Sequence, residues 1–275
     1  MRADILQTVF KTFLPVIGVV HLPPLPGAPK YSGESVEDIT KAALAEAKTL
    51  LDNGIDGIII ENFNDVPFLK RVGPETVAAV TYIGKAIKDR FSKPLGICLL
   101  QADTIGAIAI AKTLEAEFIR ATYYTETYVV DAGLIDSSAA EVQRFKAFLK
   151  CQTKVFADVH IKHGYPLAQR PIELSAEDAL FRGLADALII TGLKTGGETK
   201  VEDVKRVREK LPEAPLIVGS GVTVENVNRY LPFVDGIIVS TGLKVDGKEH
   251  GIFDPARVSK LMEKVADYRE KNKEA

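Results

Sequence analysis

Asp158-Val-His160 sets a carboxylate and an imidazole two residues apart at the end of an apolar run. Residues two apart on a strand share a face. The spacing therefore predicts both side chains in one pocket, where they can serve as general acid and base. The competing reading is a buried Asp–His pair that holds an interior together. His21 and Glu61 also end apolar runs and complete the catalytic candidates. The same four residue types can ligate a divalent metal, but they are scattered and no short metal-spacing motif supports a site. No metal ligand is assigned and no cofactor is predicted, with a divalent metal left open. Asn62, Gln101, Arg120, Thr122 and Thr191 stand at the ends of further apolar runs. Of these, Asn62, Gln101, Arg120 and Thr191 are taken with Lys162 as substrate-binding candidates. Lys162 offers a Schiff-base amine or a charge for a second acidic group, but its place beyond the run favours a plain charge on the rim.

A second kind of chemistry lies further along. Gly219-Ser220-Gly221-Val222 and Ser240-Thr241-Gly242 each follow an apolar run and precede a helical pattern. Glycine lets the backbone approach an anion, and the freed N–H groups supply positive partial charge. These seven residues are the expected phosphate-binding set, against the alternative of two tight packing turns. Lys194, within Gly192–Gly197, lacks the P-loop spacing. The run Gly219-Ser-Gly221 lacks the third glycine of a dinucleotide fingerprint, with Val224 in its place. Cys98, inside an apolar run, reads as core.

The elements that must position these residues alternate through the chain. Strands are expected at 16–21, 57–61, 95–100, 118–122, 155–160, 187–191, 216–219 and 236–239, each followed by an amphipathic helical stretch. Several are Val/Ile-rich without clean alternation, as parallel strands covered by helices should be. Ser35, Ser175 and Thr199 open cap-like patterns, Pro74 suits a first helical turn, and Asp254-Pro255 reads as N-cap and first position. Helix-to-strand connections are short, whereas 22–33, 123–136, 162–174, 192–198 and 240–254 are long. Long loops on one face are the functional ones, and in a barrel that face is the C-terminal one. The first carries four prolines and is expected to wall the mouth. Ile5, Leu6, Val9, Phe10 and Phe13 repeat at helical spacing, predicting a helix that plugs the barrel floor or meets another subunit. The fold expected is one α/β (βα)8 TIM barrel of the phosphate-binding type over residues 1–275, with 1–15 as a helical extension.

Of the 275 residues 46% are hydrophobic and 26% charged, as in a globular protein with a sizeable core. A formal net charge of −2 without a long basic run argues against a nucleic-acid surface. Two cysteines make no disulfide framework. No signal-peptide pattern and no spanning apolar stretch are seen, so membrane insertion is not expected and a cytoplasmic location is. Barrels pair through helices and loops, which makes a homo-oligomer an expectation.

Five stretches together resemble the BtpA/SgcQ family of (βα)8 proteins: 18–27 (GVVHLPPLPG), 61–68 (ENFNDVPF), 71–75 (RVGPE), 158–163 (DVHIKH) and 218–223 (VGSGVT). The resemblance spans nearly the whole chain. It implies a phosphate-binding-type barrel, an association with photosystem assembly or stability in photosynthetic relatives, and links to sugar-utilisation clusters in others. The family pattern is followed at Asp103 and Arg120, but Cys98, Gln101, Ala102 and Thr122 depart from it. A site that loses hydrogen-bonding groups can lose discrimination by orders of magnitude. The function expected is acid–base isomerase or lyase chemistry on a phosphorylated sugar or nucleotide, with Asp158 moving a proton. The alternative is a non-catalytic assembly factor that keeps a regulatory ligand site.

Overall fold

The computed structural model describes residues 4–192 and 197–272. In chain order its strands are β1 (Val16–His21), β2 (Gly57–Glu61), β3 (Leu95–Cys98), β4 (Phe118–Ala121), β5 (Tyr128–Val130), β6 (Gly133–Ile135), β7 (Lys154–Val159), β8 (Gly164–Pro166), β9 (Ala187–Ile190), β10 (Leu216–Val218) and β11 (Gly236–Val239). All but β5, β6 and β8 pair in parallel into a closed eight-stranded barrel, sealed by β1 against β11 with Val16 opposite Ile237. The helices are α1 (Asp4–Phe10), α2 (Val36–Asp52), α3 (Pro74–Arg90), α4 (Thr104–Leu114), α5 (Ala139–Phe148), α6 (Ile172–Glu177), α7 (Val201–Lys210) and α8 (Pro255–Lys271). This is the TIM barrel read from the sequence.

Local chemistry sets most helix starts. The Ser35 side chain accepts from the Asp38 N–H, Asp103 from that of Gly106, and Asp254 from that of Ala256. Two expected caps are otherwise employed. Ser175 lies buried inside α6, and the Thr199 hydroxyl donates to the Ser220 carbonyl while Lys200 holds the N-cap position of α7. After β10 the expected helix shrinks to a 3-10 turn over Val227–Arg229. The Asn226 side chain accepts from the Thr223 N–H at 2.8 Å and donates to the Gly221 carbonyl at 2.8 Å. Such local side-chain bonds compete with a helical ladder. Five strands also end early: β3 at Cys98, β4 at Ala121, β7 at Val159, β9 at Ile190 and β10 at Val218.

The barrel floor is filled by α1. Leu6 and Phe10 are buried among the inward residues Ile17, Val19, Ile59, Phe118, Phe156 and Ile238. Phe10 meets Phe118 edge-on at 5.4 Å, and Phe118 stacks on Phe156 at 4.7 Å. Gly57 makes room, since a Cβ there would lie 2.6 Å from the Phe10 ring. Above the opposite end, two segments expected as loops contribute an antiparallel sheet in the order β6-β5-β8. Tyr123, Tyr128, Ile135 and Ile161 pack together as a small cluster of their own. No helix among the described residues is long and apolar enough to cross a membrane.

Candidate functional site

The strand period that buries Ile17, Val19, Ile59, Phe118, Phe156 and Ile189 carries forward to His21, Glu61, Arg120, Asp158 and Thr191. These five form the polar layer at the C-terminal end of the barrel interior, and all are buried. Arg120 organises it. Its Nε donates to Asp158 Oδ2 at 2.9 Å and its Nη2 to Asp158 Oδ1 at 3.1 Å, a bidentate pair. Nη1 reaches Glu61 Oε2 at 3.5 Å.

Two adjacent chambers open above this layer. The smaller, about 140 Å³, is walled by His21, Glu61, Arg120 and Lys162 and by both glycine loops, with every residue from Gly219 to Thr223 and from Ile238 to Gly242. The larger, about 760 Å³, shares Glu61, Arg120 and Lys162 and adds Phe63, Phe68, Gln101, Thr122, Tyr123, Asp131 and Tyr165. The β5–β6–β8 sheet and the proline-rich first loop, through Lys30, contribute to its walls. Tight packing holds the glycine loops in place. Gly221 sits at φ +65°, and a Cβ on Gly242 would lie 2.2 Å from the Val222 carbonyl. The N–H groups of Gly221, Val222, Thr241 and Gly242 meet no acceptor among the described residues. Ser220 donates to the Gly197 carbonyl at 3.1 Å and Ser240 to that of Val19 at 3.0 Å, so both hydroxyls brace the loops.

Burial and neighbouring charge set the protonation states. Burial pulls His21 down to about 3, with Lys244, Lys162 and Arg120 adding to it against the attraction of Glu61. The imidazole is thus neutral. It stacks on Phe63 at 4.0 Å, and its Nδ1 is buried with no hydrogen-bond partner among the described residues. Burial would raise Glu61, but the charges of Arg120 and Lys162 hold its carboxyl below the usual range. Burial leaves Asp158 above its ordinary value in spite of Arg120. Lys162 is pulled below the usual lysine range, first by burial and then by Arg120. Its ammonium makes no ion pair among the described residues.

Several sequence candidates are displaced or serve other partners. His160 does not share a face with Asp158. Strand β7 stops at Val159, and His160 takes φ +50°, which breaks the alternation and turns the ring out of both chambers. Its Nε2 lies 3.0 Å from the Ser175 hydroxyl, which in turn donates to Glu126 at 2.8 Å. Asn62 clamps the end of β3, accepting from the Leu100 N–H at 2.6 Å and donating to the Leu100 carbonyl at 3.1 Å. Thr191 accepts from the Lys162 N–H at 3.1 Å and so fixes the backbone that carries that lysine. Gln101 lines the larger chamber and donates to Asp131 at 2.8 Å. Lys194 lies outside the described residues. Among those described, no group of three or more His, Cys, Asp or Glu side chains is placed to hold a metal. Arg257 was missed by the sequence reading and lines the smaller chamber, with Nη1 3.5 Å from the Gly242 carbonyl. It falls on the first turn of α8, where a single arginine among Pro255, Ala256 and Val258 carries no signal; only its place after a glycine loop marked it out.

Comparison with known proteins supports the architecture and the lineage. The chain is 42% identical over 248 residues to an uncharacterised protein of Methanocaldococcus jannaschii, covering 90% of this chain and 94% of that one. It is 38% identical over 265 residues to the photosystem I biogenesis protein BtpA of Synechocystis, covering 96% and 92%. Among solved structures it resembles the phosphoribosyl anthranilate isomerase of Thermus thermophilus with a TM-score of 0.55 over 93% of this chain and all of that one. At 13% identity this is a likeness of fold alone. The model of the BtpA family matches residues 12–267, and the chain belongs to that family.

Proposed function

We propose that the protein binds a phosphorylated small metabolite at the C-terminal mouth and carries out acid–base isomerase or lyase chemistry on it. The observation that carries this reading is the smaller chamber, which unpaired N–H groups from two consecutive glycine loops line together with the Arg120 guanidinium and the Lys162 ammonium. The loops after barrel strands seven and eight are where phosphate is commonly held in this fold. The phosphate sits on Gly219–Val222 and Ser240–Gly242, with Arg257 at its edge. The reacting carbon lies at the junction with the larger chamber.

Glu61, kept ionised by Arg120, removes a proton there. Lys162, drawn toward neutrality by burial, is the second proton-transfer group. Neutral His21 offers its unpartnered Nδ1 to a substrate oxygen or N–H. Asp158, gripped at both oxygens by Arg120, positions the guanidinium and does not itself move a proton. His160, outside the chambers, has no part in the chemistry.

The test is thermal unfolding against phosphorylated metabolites, their unphosphorylated counterparts and divalent metals. A ligand at a hundred times its dissociation constant stabilises by about 2.7 kcal/mol. In a chain of this size that raises the midpoint by roughly 5–10 °C. Shifts confined to phosphorylated compounds support the reading, and their absence overturns it. The name of the Synechocystis relative favours a second reading, an assembly factor with a regulatory ligand. Binding without turnover, unchanged by Glu61→Gln, would select it.

A further inference from the structure

We propose, resting on the phosphate reading above, that the ligand carries a planar nitrogen-bearing ring at the end opposite its phosphate, as a nucleoside monophosphate does, and that the larger chamber holds this ring. A triose or pentose phosphate would be met at the junction of the chambers and leave most of the 760 Å³ beyond it unfilled. That volume is in the range of whole small-molecule sites. The walls are chosen for a ring. The chain has 12 Phe, eight Tyr and no Trp, and four of these, Phe63, Phe68, Tyr123 and Tyr165, border this one chamber. Flat aromatic faces stack on heterocycles of any identity.

The polar groups say what the ring must offer. Gln101 Oε1 is buried with no hydrogen-bond partner among the described residues, while its Nε2 is committed to Asp131. A buried acceptor left unpaired is costly, and a ligand N–H answers it. Asp131 and Glu249 border the same chamber. Lys30, Arg120 and Lys162 line it too, so the chamber carries both signs of charge, and the two carboxylates supply acceptors for amino or imino donors. The chamber is therefore complementary to a ring with N–H groups, and the smaller chamber to an anion.

Isothermal titration of the wild-type chain with inorganic phosphate, ribose 5-phosphate, the four common nucleoside 5′-monophosphates and adenosine tests this. At least one nucleotide should bind about tenfold or more tightly than ribose 5-phosphate. Phe68→Ala and Gln101→Leu should each narrow that ratio to about threefold or less, with Tm values showing that both variants fold. Ribose 5-phosphate binding as tightly as every nucleotide overturns the ring proposal and leaves the phosphate reading standing. Adenosine binding as tightly as its monophosphate overturns the phosphate reading and keeps the ring chamber. No binding by any probe overturns both.

Discussion

Two buried arginines, Arg120 and Arg208, divide the molecule into a part that stands ready and a part that is finished. Arg208 donates to the carbonyls of Phe233 at 3.0 Å, Pro212 at 3.0 Å and Ala214 at 2.8 Å, and also meets the Asp235 carboxylate. Asp235 in turn accepts from the Leu216 N–H at 2.9 Å. The pair ties the end of α7 to the starts of β10 and β11, and its bonds end on the main chain. Arg120 makes its bonds to the carboxylates of Asp158 and Glu61 and faces both chambers. Burial is the same in both cases, at 3% and 6% exposure. What separates a structural charge from a binding one is whether its neighbours lead back to backbone or out to empty space.

Matched carboxylate-to-amide changes test that division most sharply. Glu61→Gln should cut turnover of a phosphorylated substrate by about 10²–10⁴-fold. It should leave the unfolding midpoint within a few degrees, because Asp158 still answers Arg120 and a desolvated charge is gone. Asp235→Asn should do the reverse, costing about 3–5 kcal/mol by leaving Arg208 without its counter-charge. That is a drop of roughly 10 °C in midpoint by calorimetry, with ligand-induced shifts intact in the folded protein.

Next in size is a pH effect at the mouth. His21 stays neutral in the fold down to about pH 3, whereas the unfolded chain takes up that proton near 6.5. The unfolded state then binds more protons between those values. Stability from this group is full above pH 6.5 and falls as pH drops through the window, by about 1.4 kcal/mol per unit. His21→Asn should flatten that part of a denaturation-versus-pH curve, and an unchanged slope would refute the assignment.

A subtler change tests the glycine loops themselves. Gly242→Ala pushes a methyl group against the Val222 carbonyl and should weaken phosphate-ester binding about tenfold by titration. Smallest of all, Arg71→Ala breaks an exposed pair with Glu141 and should change stability by no more than about 0.5 kcal/mol in urea melts. A larger loss there would mean that exposed charge carries more of the stability than the comparison of Arg120 with Arg208 allows.

The barrel was legible because its strands are apolar runs of the right length, several ending in a polar residue that names its register. The helical spacing of Leu6 and Phe10 left a floor plug and a subunit contact open, and their packing against Phe118 and Phe156 places them in the floor. What failed were the places where side chains overrule pattern. Asn226 bonds the loop after β10 and leaves only a 3-10 turn. A positive φ at His160 undoes a period-two argument that held as far as Val159. The β5–β6–β8 sheet has strands of three residues, too short for periodicity to register. His21, Glu61, Arg120 and the glycine loops, which line the smaller chamber, were legible as candidates because they end barrel strands. Arg257 and the aromatic wall of the larger chamber come from loops and a helix start, where spacing carries no information about what lies opposite.

The pairing of β1 with β11 gives the mouth an order of assembly. Val16 and Ile237 are neighbours in space but lie at opposite ends of the barrel sequence, and contacts of such separation form late. Ser240 fastens its loop to Val19 across that same junction. A nascent chain emerging from the ribosome can build β1 through β9 with their helices and still have no finished glycine pocket, since both loops belong to the last strands made. The proposed ligand site is thus complete only when synthesis is, and a chain interrupted before β11 should fail the binding tests set out above.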